Sequence, residues 1–398
     1  MTIAGRFLEV HVIQAIPFAN LNRDDTNAIK TVKWGDKERT RVSSQCWKRA
    51  IRLHLQQALG QDALRTRRLP EYLAAYLQNE LQWPAELAER AGRHIAVASS
   101  VGAEPPNKKK KKGDGAESDD AVDAWTTAAM IYIPGKAIAE LAQLAVRYRE
   151  DLEKTKDPAK FERKHSVIPT AEVDEVLRSR NGIISLFGRM LAQVDDANVD
   201  GAVQVAHAFT THGTDTEIDY FSAVDDVTST WGDTTGSAHM GHAEHSAGVF
   251  YRYIVLDLHD LNTNIGGDLE DTRKLAAGLV RAALLSLPHA KKNSTAPNTI
   301  PHLAHLTVRS DRPVSYAAAF EKPVQADHHT GGHSDPSVKA LNAYASAVNE
   351  LLGTEGLLYR GHATLSNEAT DGLGERVRSF DALIEHALDN ALRVKETV

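Results

Sequence analysis

Residues Phe7 to Ile16 alternate apolar and polar positions in the manner of a β-strand, with Leu8, Val10 and Val12 on one face. A loop marked by Pro17, Asn20 and Asn22 follows. Residues 31–42, around Val32, Trp34 and Val42, predict a short hairpin turning at Gly35-Asp36. At Ser43-Ser44-Gln45 the period changes to that of a helix. Gln45, Lys48, Arg49 and Arg52 then fall within one arc of roughly 100°, while Cys46, Trp47, Ala50, Ile51, Leu53 and Leu55 occupy the rest. This predicts a helix buried nearly all round, with only a basic stripe left free. Strand, long loop, then helix is how a ferredoxin-like or RRM-like βαββαβ sheet begins.

From 60 to 182 the pattern is helical, over Tyr72 to Leu87 and Ala121 to Leu152, with a break at Pro134-Gly135. Two polar stretches interrupt it. One runs from Glu104-Pro105-Pro106-Asn107 through Lys108, Lys109, Lys110, Lys111 and Lys112 to Asp120, and predicts a mobile loop; the other is Lys154 to His165. The region reads as a helical insertion into the sheet domain. Mixed apolar patterning returns at 183–211. Residues 212–248, poor in long aliphatics and rich in Gly, Thr, Ser and Asp, read as an extended arm or hairpin. The remainder, 249–398, holds alternating strands at Gly248 to Leu258 and Leu303 to Val308. Helical patterns follow at Thr272 to Leu287, Ser337 to Leu352 and Ser379 to Leu392.

Charge sharpens the reading. The chain is acidic, net −7, which argues against a general nucleic-acid binder. Yet residues 1–70 hold 13 Lys/Arg against 6 Asp/Glu, net +7, so the rest carries −14. A basic surface on an acidic body predicts a localised track for a polyanion. The serine-capped start of the basic helix adds unpaired N–H groups suited to phosphate. From 190 to 251 there is no Lys or Arg, but ten acids and five histidines. No apolar run reaches the length of a membrane span and the N-terminus lacks a signal-peptide pattern, so the chain is read as cytoplasmic, without membrane contact. A single cysteine, Cys46, excludes an internal disulfide framework.

Other chemistries are weaker. His239-x-x-His242-x-x-His245 invites a metal reading, but no fourth ligand is marked, and solvated loop histidines account for the pattern. No metal site and no cofactor is assigned. Asp24-Asp25 behind Arg23 could hold a divalent ion or act in nucleic-acid cleavage, and equally could cap a turn. Walker A, dinucleotide and nucleophile-elbow motifs are missing. Lys108 to Lys112 is either a solvated loop or a non-specific contact to duplex DNA. Tyr220-Phe221, on a polar arm, either packs back on its own domain or offers bases a stacking surface.

Leu21-Asn22-Arg23-Asp24-Asp25, Arg41-Val42-Ser43-Ser44-Gln45 and Lys48-Arg49-Ala50 closely resemble the backbone subunit of type I-E CRISPR Cascade, the Cas7 (Cse4/CasC) family. The resemblance continues through Gly188-Arg189-Met190, Val199-Asp200-Gly201-Ala202, Ala206-His207-Ala208, Thr210-Thr211-His212 and Asp219-Tyr220-Phe221. It resumes in Ala223-Val224-Asp225-Asp226, Gly236-Ser237-Ala238-His239, Gly248-Val249-Phe250-Tyr251-Arg252-Tyr253 and Ala319-Phe320-Glu321-Lys322. The insertion at 60–182 and the last 50 residues match poorly.

The resemblance implies an α+β fold: a modified RRM-like (ferredoxin-like) palm at 1–59, 183–211 and 249–398, a helical fingers insertion at 60–182, and a β-hairpin thumb at 212–248. It implies a non-catalytic subunit that polymerises along CRISPR RNA (crRNA) and kinks it at regular intervals, leaving segments free to pair with target DNA. Its partners would be crRNA, target DNA, further copies of itself, and the other Cascade subunits (Cas5, Cas6, large and small subunits). Carried over by position, RNA contacts fall on Arg23, Lys30, Ser43, Gln45, Lys48, Arg49 and Arg52, with Met190 packing against bases and Tyr220 and Phe221 as the thumb aromatics. Two rivals stand beside it. One is an RNA-cleaving backbone subunit, as in type III effectors, using Asp24 or Asp25; the other is a stand-alone single-strand RNA binder.

Overall fold

A computed structural model of the chain describes residues 3–106, 124–158, 162–224 and 237–394. Two compact units divide it, one formed by 1–55 with 203–398 and the other by 56–202.

The first unit is built on a sheet in which the described residues place ten strands. These are β1 (Phe7–Ala19), β2 (Thr31–Trp34), β3 (Lys37–Val42), β4 (Val203–Val205), β5 (Ala208–Thr210), β6 (Glu217–Val224), β7 (Ser237–Asp257), β8 (Leu303–Arg309), β9 (Leu357–Thr364) and β10 (Glu375–Arg376). Their order is β10-β9-β8-β1-β7-β5-β3-β2, with β4 and β6 also paired to β7. All pairs are antiparallel except β9–β10. β1 lies between β7 and β8, so Val10 sits opposite Ile254 on one side and Leu306 on the other.

Helices cover both faces. On one face lie α1 (Ser44–Leu59), α2 (Leu258–Asn264), α3 (Leu269–Leu285) and α5 (Phe380–Ala391). Arg252 marks this face by reaching both Trp47 of α1 and the carbonyl of Ala283 in α3. On the other, Ile13, Tyr251 and Leu303 pack against Val338, Leu341 and Ala345 of α4 (Ser334–Leu352). β1 is therefore buried on both sides, and its polar alternation serves an internal network. The Glu9 carboxylate accepts from Tyr253 Oη at 2.6 Å, Thr307 Oγ1 at 2.8 Å and the Val314 N–H at 2.6 Å, and pairs with the Arg309 Nε at 3.2 Å.

In the second unit, helices Leu69–Leu81, Ala85–Ala98, Ala137–Arg147 and Thr170–Arg178 share a core that includes Leu73, Leu77, Ile95, Leu141 and Val173. Two expectations need correction here. Ala121 to Leu152 is not one helical pattern, because Ile131–Pro134 is a strand paired with Ala63–Thr66. All four of its residues are buried, so no alternation betrayed it. Residues 183–202, read as sheet domain, belong to this unit. Arg189 holds them there, its buried guanidinium donating to the carbonyls of Ala197, Leu177, Ser179 and Arg178 at 2.7–2.9 Å. Among the described residues, no helix is long and apolar enough to cross a membrane.

Candidate nucleic-acid interface

The interface begins at the first turn of α1. Ser43 caps the helix, its Oγ accepting the Cys46 N–H at 3.3 Å, while its own N–H donates to Asn22 Oδ1 at 2.8 Å. Its side chain is thus largely spent on the fold, and the residue is buried. The Cys46 thiol donates to the Leu21 carbonyl at 3.4 Å. Burial pushes that thiol up, and nearby Lys30 and Arg49 pull it back. Loop 20–30 and helix α1 therefore meet around Cys46, and Lys30 and Arg49 are brought together there. The Ser44 N–H donates to His207 Nδ1 at 3.4 Å, and the Arg41 guanidinium lies 2.9 Å from the same nitrogen. Burial, then Arg41, holds His207 below its ordinary pKa, in keeping with a neutral ring that accepts.

The helix differs from its expectation. Trp47, Ala50, Ile51 and Leu55 are buried, but Leu53 is 38% exposed, so the free surface is wider than a basic stripe. Gln45 and Arg49 are exposed; Lys48 and Arg52 are half-buried and interact with other groups of the chain. From beneath, Arg252 stacks its guanidinium 3.9 Å from the Trp47 ring and donates to Gln14 Oε1 at 2.6 Å. Burial brings this arginine down to about 9, still charged at neutral pH, so the helix is seated on a fixed cation.

Loop 20–30 is built by its own polar residues. Arg23 is exposed, its Nη1 donating to Asn27 Oδ1 at 3.0 Å. Asp24 Oδ1 accepts the N–H groups of Thr26 and Ala28, each at 2.9 Å, and the Thr26 hydroxyl at 2.8 Å. These bonds, the Thr26 hydroxyl first, hold its carboxyl below the usual range. Asp24 is a turn cap. The base of the β6–β7 hairpin ties the loop down: Asn20 Nδ2 donates to the Glu244 carbonyl at 2.9 Å, and Glu244 Oε2 accepts the Ile29 N–H at 2.9 Å.

Along the hairpin Tyr220 stands opposite His242 and Phe221 opposite Gly241. Neighbouring strand positions face opposite ways, so the two aromatics do not form one platform. Tyr220 is 78% exposed, whereas the Phe221 ring lies over Gly241, where an added Cβ would come within 2.5 Å of its Cζ. The same alternation separates His242 from His245, which is buried and stacked on Phe18 at 4.2 Å. That corrects the solvated-loop reading for His245; His242 is exposed, as that reading expects, but on a strand. No cluster of three or more His, Cys, Asp or Glu suited to a metal is found among the described residues. In the second unit Met190 is 87% exposed, beside the pinned Arg189. Gly188 precedes them at φ +76° with Gly201 packed against it, a position closed to larger residues. Lys108 to Lys112 lie outside the described residues.

Sequence reasoning passed over Arg41 and His207 at the helix start, and Asn20 and Glu244 beneath the loop. Arg41, two residues before the serine cap, was the one with a visible signal.

The profile of the family described as "CT1975-like protein" matches residues 8–386. Among solved structures, a chain of a "CRISPR RNA-guided surveillance complex, pre-nicking" is similar at 39% identity and a TM-score of 0.83, over 97% of this chain and 100% of that one. A chain of a "CRISPR RNA-guided surveillance complex" is similar at 36% identity and a TM-score of 0.74, with the same coverage. No curated protein matches.

Proposed function

The chain belongs to the CT1975-like protein family, and on that premise we propose that it is a crRNA-binding backbone subunit of a Cascade-like surveillance complex, of type I-E. The observation that carries the reading is the convergence of Lys30, Arg41 and Arg49 around the capped start of α1, with Arg23 exposed on the adjoining loop and Gln45 exposed on the helix, on an otherwise acidic chain. Such a surface grips phosphates without reading bases, as a subunit must when guide pairing supplies sequence specificity. The antiparallel placement of β1 between β7 and β8, with α3 between β7 and β8 in sequence, supports an RRM-like palm. The hairpin would be the thumb that kinks the guide, the second unit the fingers, and Met190 a surface for bases. A DNA role for Lys108 to Lys112 rests on charge alone. Further copies of the chain, the other complex subunits and target DNA are the proposed partners, in the cytoplasm.

The chain acts by binding in this reading, and Asp24 is committed to its turn. Regularly spaced cuts in complementary RNA with Mg²⁺ would reverse that. The test of the whole proposal is to size the purified chain with and without single-stranded RNA, and to sequence the RNA that copurifies. A discrete multi-copy particle on RNA of uniform length is expected; a one-to-one complex, or none, overturns it.

A further inference from the structure

We propose that an acidic, leucine-bearing knob at the end of α4 docks into an apolar, arginine-bearing cleft on the next copy of the chain, making a head-to-tail contact between neighbours. The inference rests on the backbone reading above and names the surfaces by which adjacent copies meet.

The knob is a built feature. Asn349, 7% exposed, accepts from Arg309 Nη2 at 3.4 Å and anchors the last turn of α4. Directly after it the chain is exposed from Glu350 to Glu355, with Leu351 at 86% and Leu352 at 48%. Gly353 ends the helix at φ +70°, where glycine is favoured. The return into β9 is fixed by the Ser310 N–H on the Gly356 carbonyl at 2.9 Å and the Leu357 N–H on the Thr354 carbonyl at 3.0 Å. Two leucines are therefore held in water between two glutamates on a segment secured at both ends.

The cleft is a cavity of about 380 Å³ at the end of α3 and the start of α5. Leu285, Ile300 and Leu365 line it and are 39%, 53% and 65% exposed, with Leu284 and Phe380 also in its wall. Arg281 and Arg378 also line it. Arg281 is paired with Asp381, whereas Arg378 is exposed and makes no ion pair with a described residue. Apolar walls with surplus positive charge complement leucines flanked by Glu350 and Glu355.

The two surfaces belong to helices on opposite faces of the sheet: α4 covers the Ile13 face, and α3 and α5 the face marked by Arg252. A knob cannot fill its own cleft. Joined between copies, the contact is heterologous, leaves one knob and one cleft free at the ends, and extends as an open series. Copies on one RNA strand share a high effective concentration, so a contact of this small size suffices to order them.

The test uses the full chain on two RNAs, one long enough for several copies and one for a single copy. Leu351→Asp, Leu365→Asp and Arg378→Glu should each shift multi-copy assembly to about tenfold higher protein concentration or more. Single-copy affinity and the circular-dichroism spectrum should not change. Glu350→Lys with Glu355→Lys should impair assembly in the same way, and joining that pair with Arg378→Glu in one chain should restore it. Wild-type-like assembly by the three single variants, or no restoration by the combined reversal, overturns the contact while leaving the RNA reading in place. Failure of the wild-type chain to gather on long RNA overturns both.

Discussion

The carboxylate of Glu244, on the longer strand of the hairpin, accepts the backbone N–H of Ile29 at 2.9 Å. With Asn20 Nδ2 on the Glu244 carbonyl, this fastens the loop bearing Arg23 and Lys30 to the base of the arm that bears Tyr220. The loop and the aromatic-bearing arm are therefore joined through one acidic residue, whose charge is taken up by a backbone donor.

Glu244→Ala leaves the Ile29 N–H without its acceptor, and a bond to a charged group is worth about 1.5–3 kcal/mol. Hydrogen exchange of the Ile29 amide should accelerate by about tenfold or more. RNA affinity should fall, and Glu244→Gln, which keeps an acceptor oxygen, should lie between. An Ile29 amide exchanging at the wild-type rate in the alanine variant would show that the loop holds itself.

Arg23→Ala with Arg49→Ala removes two exposed guanidinium groups from the interface. Each phosphate contact to a single strand contributes about 0.7 to the slope of log affinity against log salt, so the slope should shrink by about 1.4. Sequence preference should stay the same. A folded double variant with an unaltered slope would remove these arginines from the track. Lys48 and Arg52 make a less clean test, because both are half-buried and engaged elsewhere in the chain.

The legibility of the sequence divides along physical lines. Long periodic elements were readable: the second half of β7 and most of α3 carry a pattern over many residues, whereas the arm was marked only by composition. Ile131–Pro134 was not, since a strand buried on both faces looks the same as a buried helix segment. Gln45, Lys48, Arg49 and Arg52 could be grouped on one helix because charge at helical spacing is local information. Glu244 could not be read, because its partner is 215 residues away and nothing local marks a carboxylate that serves a distant amide. The serine cap was legible too, because a Ser just before a helical period is a local signal, and the Ser43 hydroxyl closes its helix as expected.

Stability should fall as pH drops below about 6.5. His11, His305 and His362 stand opposite one another across β1, β8 and β9, all at most 1% exposed. Burial lowers all three, His305 to about 3. Below the unfolded value of about 6.5 the unfolded chain takes up protons that the folded rings refuse. The stabilisation is complete above that pH and is lost toward the folded values, with the unfolding constant rising about tenfold per pH unit for each histidine in its window. Glu9 acts with the opposite sign above its ordinary value, because burial raises it. Comparing Tm at pH 7 and pH 5 with that of His305→Phe isolates the histidine share: the variant should lose less. Equal losses would assign the pH dependence elsewhere.

The hairpin aromatics should behave differently from each other, although they are adjacent in sequence. Tyr220 projects into solvent, with the His242 ring 6.4 Å away between centroids, while Phe221 lies on Gly241 on the other side of the hairpin. A stacking contact to a base is worth about 1–3 kcal/mol. Tyr220→Ala should forfeit it and leave the hairpin intact, and Tyr220→Trp should retain it, since stacking needs only a π-face. Phe221→Ala should instead loosen the hairpin, and Gly241→Ala, whose Cβ would strike the Phe221 ring, should resemble it. Chemical probing of the bound guide separates these outcomes. The wild-type complex should show one hyper-reactive nucleotide at constant spacing, blunted by Tyr220→Ala and preserved by Tyr220→Trp. Uniform reactivity along the guide in the wild-type complex would remove the wedge role from Tyr220, however tightly the RNA is held.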